Sequence, residues 1–350
     1  MTISDFQSPP QRILLIKPSS LGDVVHALPV LNLLRRKWPQ AQISWLVSNQ
    51  FSDLLRGNPQ LSEVIEFDRR KFARWWFDPR ATVALFRFLR DLSKRRFDLV
   101  IDLQGLHRSG WLTWLTHAPL RVGFANAREL AHLFYTHRVP IDSMEQHAIQ
   151  RYLAITEALG CGREPVEFHL TSDAADEAHV ESLVGAIGPY AILLPGANWL
   201  TKRWPAERFA RLIEPLRSQF GLATVVAGGG ELARLASQIP ADVNVVGKTS
   251  LRQLVALIQR ASLVIANDSG PMHIAAALNK PLVTIFGPTN PIRTGPFQRL
   301  DSVVRVDIPC SPCYSRKCSH TSCMKWLGIE PVLDEAARQM TNDQTRMTNQ

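Results

Sequence analysis

An α/β protein of two doubly wound domains with parallel sheets is the fold this sequence predicts. Three observations predict it: short apolar runs without polar alternation, which suit strands buried on both faces; helical patterns between those runs; and a restart of the alternation after a polar, irregular stretch at 160–188. At 350 residues the chain exceeds one comfortable core and fits two domains, placed here at 1–170 and 171–350.

The first half opens with a strand at Arg12–Lys17. Pro18-Ser19-Ser20-Leu21-Gly22 then turns the chain into a helix whose apolar face is Val24, Val25, Leu28, Leu31 and Leu34. Arg35-Arg36-Lys37 before Pro39 close that helix with the charge its C-terminal dipole prefers. Further strands follow at Ile43–Val47, Val64–Phe67 and Leu99–Leu103, with helices at Trp111–Leu115 and Ala148–Leu159. Between them Asp78-Pro79 caps a helix that carries Arg87, Arg90 and Lys94 along one face.

The second half is cleaner. Strands at Tyr190–Leu194, Ala223–Ala227, Val243–Val246 and Leu263–Ala266 alternate with helices at Ala206–Phe220, Glu231–Ser237 and Leu251–Arg260. The last of these strands stops at Asn267-Asp268-Ser269-Gly270, and Pro271 starts a helix that Pro281 ends. After Asp301 periodicity is lost apart from a short helix near Val332–Met340, and fraying is expected from Thr341 onwards.

Composition narrows the function classes. No run reaches the roughly 18 apolar residues of a membrane span, and the first twelve residues hold no apolar signal core, so a cytoplasmic location is expected. The net charge of +9 is concentrated: residues 69–96 carry ten Lys or Arg against Asp78 and Asp91, 10 − 2 = +8. Phe72, Trp75, Trp76 and Phe77 interleave with those cations, a surface suited to phosphates of a nucleic acid, an anionic lipid or an acidic glycolipid. A solvated basic face is the plainer alternative. Cys310, Cys313, Cys318 and Cys323 cluster near the end, with Cys161 far upstream. Reduced thiols are the default for a cytosolic chain; the first pair has zinc-ligand spacing, the second is too widely spaced for the commoner four-cysteine pattern.

In an open parallel sheet, ligands bind at the carboxyl ends of the strands. The loop after the first strand delivers Ser19, Ser20, Gly22 and Asp23, the last at a helix start whose dipole favours an ionised carboxylate able to act as a base; a capping Asp is the alternative. The loop Pro195–Pro205 brings Lys202 and Arg203 to a helix N-terminus, a plausible diphosphate clamp, beside Trp199 and Trp204. Gly228-Gly229-Gly230-Glu231 with Ala233 satisfies a relaxed dinucleotide fingerprint, but no acidic residue closes the next strand, so a mononucleotide loop with Glu231 on ribose hydroxyls is expected. The helix starting at Gly270 aims free N–H groups at a phosphate; equally, Asp268 and Ser269 could be ordinary caps and His273 an ordinary half-buried histidine.

Four segments in this order, KPSSLGDVVHALPVL, VIDLQGLHRSG, PGANWLTKRWP and NDSGPMHIAAALNKPLVTIFGPTNP, resemble the lipopolysaccharide core heptosyltransferases from about Arg12 to Ile329. The N-terminal half looks closer to enzymes adding the first heptose to the Kdo sugar of lipid A; the C-terminal motifs fit first- and second-heptose enzymes equally. The resemblance implies a GT-B architecture of two facing Rossmann-like domains, the N-terminal one for acceptor and the C-terminal one for the nucleotide sugar. It also implies an inverting transfer from ADP-heptose with no cofactor and no catalytic metal. By position it makes Asp23 the general base and Lys202 the partner of the donor diphosphate. Asp268, Ser269, Gly270 and His273 then line the nucleotide-sugar site with Glu231 at the ribose. The residues themselves add Asn198 and Arg203 to the donor site, and turn Ser19, Ser20, Gly22, Arg70, Lys71, Arg74, Arg87 and Arg90 toward an acidic acceptor. Asn198 and Trp199 stand where first-heptose enzymes tend to have small hydroxyl residues, and the resemblance assigns the cysteines no role.

The expected partners are therefore the donor, a lipid A-Kdo acceptor and the cytoplasmic face of the inner membrane, without nucleic acid. Two rivals from other classes are a nicotinamide-dependent oxidoreductase, resting on the Gly228 loop, and a nucleic-acid binder, resting on the basic segment. Neither accounts for Asp23 and Lys202.

Overall fold

The computed structural model describes residues 8–143 and 145–348, with side chains through Asp343. It divides into two compact units, Met1–His169 and Leu170–Gln350.

The N-terminal unit is built on strands β1 (Arg12–Ile16), β2 (Gln42–Ser48), β3 (Glu63–Phe67), β4 (Leu99–Asp102), β5 (Leu120–Phe124) and β6 (His137–Val139). All pair in parallel, in the order β3-β2-β1-β4-β5-β6. Past its exposed first residue, Arg12, β1 is fully buried because its apolar run meets helices on both faces: Ile13, Leu14, Leu15 and Ile16 are all solvent-free.

The C-terminal unit repeats the plan with β7 (Tyr190–Leu194), β8 (Ala223–Val226), β9 (Val243–Asn244), β10 (Leu263–Asn267), β11 (Leu282–Ile285) and β12 (Val303–Val304). These also pair in parallel, in the order β12-β11-β10-β7-β8-β9. Counted from its own first strand, each sheet runs 3-2-1-4-5-6, the doubly wound order of nucleotide-binding folds. The winding direction reverses between β1 and β4 in one unit and between β7 and β10 in the other. There the loops leaving the strands diverge to opposite faces and open a crevice at the carboxyl edge.

Several sequence expectations need correction. The strand expected at Val243–Val246 is only Val243–Asn244, because Gly247, at φ +74°, brings the chain back against Gly230. The helix expected at Glu231–Ser237 is a 3₁₀ turn, Gly230–Leu232, followed by Ala233–Ala236. The helix expected from Trp111 begins at His107. Fraying from Thr341 is overturned: one helix spans Glu330–Thr348. No Gly or Pro interrupts residues 332–348, and the Thr341 hydroxyl donates to the Ala337 carbonyl inside the helix. Among the described residues, no helix is long and apolar enough to cross a membrane.

Candidate active site

At the reversal point of the N-terminal sheet, the chain leaves β1 through Lys17 and Pro18-Ser19-Ser20 and enters the helix Leu21–Lys37. Asp23 is the third residue of that helix. Its Oδ2 accepts the Ser20 N–H at 3.0 Å and the Ser20 hydroxyl at 2.8 Å, so Asp23 does close the helix start, as the capping alternative expected. Its Oδ1 has other neighbours. It accepts the Tyr152 hydroxyl at 3.0 Å and lies 3.6 Å from Lys17 Nζ. The Asp23 side chain keeps 36% of its surface exposed, whereas Lys17 beneath it is buried and donates to the Leu103 carbonyl at 3.3 Å.

Burial alone would raise the Asp23 carboxyl, but Lys17, then Ser20 and Tyr152, overcome it and hold it at about 2. Burial lowers the Lys17 ammonium despite Asp23 and Asp102 nearby. Asp102, at the end of β4, is solvent-free; burial raises its carboxyl even though Tyr135 donates to it at 2.7 Å and the Gln104 and Gly105 N–H groups at 2.8 and 3.1 Å. The two loops flanking the reversal thus carry a carboxylate, an ammonium and a second carboxylate in series.

The C-terminal reversal point is organised the same way. Asn267, buried at the end of β10, donates to the Pro195 carbonyl at 2.7 Å and accepts the Trp204 N–H at 3.2 Å, which ties the loop after β7 to the loop after β10. That tie brings Lys202 onto Asp268. Their ion pair is 2.7 Å long with side chains 14% and 5% exposed, and Thr289 donates a further 2.5 Å hydrogen bond to the same Asp268 oxygen. Lys202 also sits over the Trp199 ring, 4.6 Å from its centre, and Arg316 shares that ring at 4.7 Å. The cation expected to wait for a diphosphate is therefore already held by a carboxylate expected in the same site.

Ser269 begins the helix Gly270–Ala277, and its hydroxyl is buried without a hydrogen-bond partner among the described residues. His273 is buried on that helix. Arg203 donates to the Ala197 carbonyl at 2.9 Å, so it braces its own loop. Asn198 and Glu231 are exposed.

The basic segment forms two helices, Arg69–Phe72 and Pro79–Lys94, capped by Asp68 and Asp78. Phe72, Phe88 and Leu89 pack onto the N-terminal core. Arg70, Lys71, Arg74, Arg87, Arg90 and Lys94 are all exposed, and so are Trp75, Trp76, Phe77, Val83 and Phe86, with Trp76 at 73%. Arg74 lies 3.5 Å from Asp78 and over the Phe77 ring.

The four C-terminal cysteines line one cavity of about 220 Å³ with His320, Thr201 and Ser311. All are free thiols, and no group of three or more His, Cys, Asp or Glu among the described residues is arranged to hold a metal ion.

Two doubly wound parallel sheets in one chain, each gathering charged side chains at its own reversal point, are the architecture of the GT-B glycosyltransferases. The chain belongs to glycosyltransferase family 9 (heptosyltransferase), whose match spans residues 85–324. It is 32% identical over 320 residues to lipopolysaccharide heptosyltransferase 1 of Pseudomonas aeruginosa, covering 88% of both chains. To lipopolysaccharide heptosyltransferase 2 of Salmonella typhimurium it is 28% identical over 313 residues, 84% of this chain and 88% of the other. The solved structure of E. coli heptosyltransferase WaaC with ADP covers 93% of this chain and 99% of its own at 28% identity, with a TM-score of 0.75.

Sequence reasoning missed Lys17, Tyr152, Asp102, Tyr135 and Thr289 as neighbours of the site. A signal existed for two of them: Lys17 and Asp102 are charged residues ending otherwise apolar strands, and a charge at the carboxyl end of a buried strand faces the crevice.

Proposed function

We propose that this heptosyltransferase moves heptose from ADP-heptose to the Kdo sugar of a lipid A acceptor, with inversion at the transferred carbon. The acceptor O–H bond breaks and its proton passes to Asp23 while the oxygen bonds to the heptose anomeric carbon. The bond from that carbon to the diphosphate breaks, and ADP leaves with the electron pair. The N-terminal unit receives the acceptor through Ser19, Ser20, Gly22 and the exposed cations Arg70, Lys71, Arg74, Arg87 and Arg90. The C-terminal unit receives the donor, with Lys202 and Arg203 toward the diphosphate, Asp268, Ser269, Gly270 and His273 lining the nucleotide-sugar site with Asn198, and Glu231 reaching the ribose. The basic, aromatic segment rests on the anionic cytoplasmic face of the inner membrane, where a lipid-linked acceptor is found.

Membership of the family carries this reading, because lipopolysaccharide heptosyltransferase 1 of Pseudomonas aeruginosa is matched over 88% of both chains at 32% identity. The test is a reconstituted assay with ADP-heptose and Kdo-bearing lipid A, the product weighed by mass spectrometry. Acceptors already carrying one heptose distinguish second-heptose addition. In the same assay Asp23→Asn keeps the shape but cannot take a proton, so turnover falls by about 100- to 10,000-fold, the usual contribution of a positioned base. Near-normal turnover in that variant removes Asp23 from the mechanism.

A further inference from the structure

A carboxylate oxygen has two lone pairs in its plane, and the two oxygens of Asp23 use theirs differently. Oδ2 receives two hydrogen bonds, both from Ser20, and is fully occupied in starting the helix. Oδ1 receives one, from Tyr152; Lys17 Nζ, at 3.6 Å, acts on it through charge and donates instead to the Leu103 carbonyl. We propose that Oδ1 is the oxygen that takes the acceptor proton, and that Tyr152 and Lys17 are positioning residues that hold its free lone pair outward. This rests on Asp23 being the base and adds which atom serves and what aims it.

The support is geometric. Tyr152 lies on the helix Ala148–Ala158, which packs against the helix carrying Asp23, and is itself buried. Lys17 Nζ lies over the Tyr152 ring, 5.1 Å from its centre, so the two neighbours of Oδ1 also fix each other. Turning the carboxylate would break the Tyr152 bond to one oxygen and both Ser20 bonds to the other. The other charged groups facing this cluster are Arg151 on the helix of Tyr152 and Asp102 beyond Lys17. His26 and His147 meet edge to face between the same two helices, with ring centres 4.8 Å apart.

The consequence is readable in pH. Burial pushes the Asp23 carboxyl up and Lys17, Ser20 and Tyr152 bring it down to about 2, so the native enzyme loses its base only in strong acid. A base must be unprotonated, so kcat/KM falls as pH drops through that value. Without Lys17, burial is opposed only by Ser20 and Tyr152, and the falling limb moves upward; without the Tyr152 hydroxyl it moves upward by less.

The experiment measures kcat and KM for donor and acceptor across pH 2 to 8, a range that reaches the native acid limb, with full-length Tyr152→Phe, Lys17→Met and Asp23→Asn. Tyr152→Phe keeps the buried ring and should lose about tenfold in kcat, with donor KM unchanged and the acid limb raised. Lys17→Met should raise the limb further. If Asp23→Asn is inactive while Tyr152→Phe keeps the native kcat and acid limb, the positioning role is overturned and the base survives. A Tyr152→Phe variant that loses kcat with an unmoved acid limb overturns it equally, since a merely structural tyrosine behaves that way. If Asp23→Asn remains active, the base itself has failed.

Discussion

Replacing Lys202 with methionine separates two roles that the structure superimposes on one side chain. Methionine keeps most of the stem and removes the charge, which leaves the Asp268 carboxylate, 5% exposed, with the hydrogen bond from the Thr289 hydroxyl. Breaking a buried pair from one side costs about 3–5 kcal/mol; because Lys202 is 14% exposed and water can reach the vacated space, the lower end, about 3 kcal/mol, applies. In a unit of this size that is a fall of roughly 6–12 °C in the melting temperature. Lys202→Met/Asp268→Asn removes both charges and should regain most of this, since the loss comes from the stranded carboxylate rather than from the missing attraction. Donor affinity should behave differently. A charge-assisted contact to a diphosphate contributes about 1.5–3 kcal/mol, and the double variant should lack it as fully as the single one. Calorimetric unfolding gives the first quantity and titration with ADP-heptose the second. If Lys202→Met melts within a degree of the native protein and binds the donor equally well, the pair is neither structural nor a phosphate site. If the double variant recovers donor affinity along with stability, Lys202 acts only by neutralising Asp268.

Reversing Arg87 and Arg90 to Glu lowers the charge of the exposed helix by four units and should raise the KM for the lipid acceptor and weaken binding to anionic vesicles, with ADP-heptose affinity intact; unchanged vesicle sedimentation and acceptor KM would leave those arginines as a solvated face. Gly123→Ala drives a methyl into the Tyr135 ring, whose hydroxyl holds Asp102, and should cost about 1–3 kcal/mol in urea unfolding; a neutral result would mean that the ring shifts freely. In timed alkylation at pH 8, Cys310 and Cys313 should react first because they are exposed, while Cys161, pushed up to about 12 by burial, waits for unfolding; early labelling of Cys161 would contradict its packing.

The sheets were legible because uninterrupted apolar runs between turn residues have few other uses in a chain of this length. Leu120–Phe124 and His137–Val139 escaped notice for a physical reason. The first contains Arg121 and Gly123 and the second is three residues long, so neither carries a pattern, and their pairing with β4 and with each other makes them strands. The site divides in the same way. Asp23, Lys202 and Asp268 stand beside turns that any reader of strand ends inspects. Tyr152 is 129 residues from its partner Asp23 and Thr289 is 21 from Asp268, and contacts across such separations leave no spacing to read. The choice between cap and base at Asp23 could not be made from sequence, since one carboxylate oxygen closes the helix while the other takes no part in the cap and accepts instead from Tyr152.

The exposed edge formed by Trp75, Trp76, Phe77, Val83 and Phe86 also governs how the protein behaves in a test tube. Five large apolar side chains within twelve residues make a surface on which two copies could adhere, and the +8 charge of residues 69–96 opposes that contact. That repulsion acts over about 10 Å in 0.1 M salt and about 3 Å in 1 M. Concentrated salt, ordinarily a remedy for sticky basic proteins, therefore removes the barrier between aromatic edges here, and self-association should rise with ionic strength rather than fall.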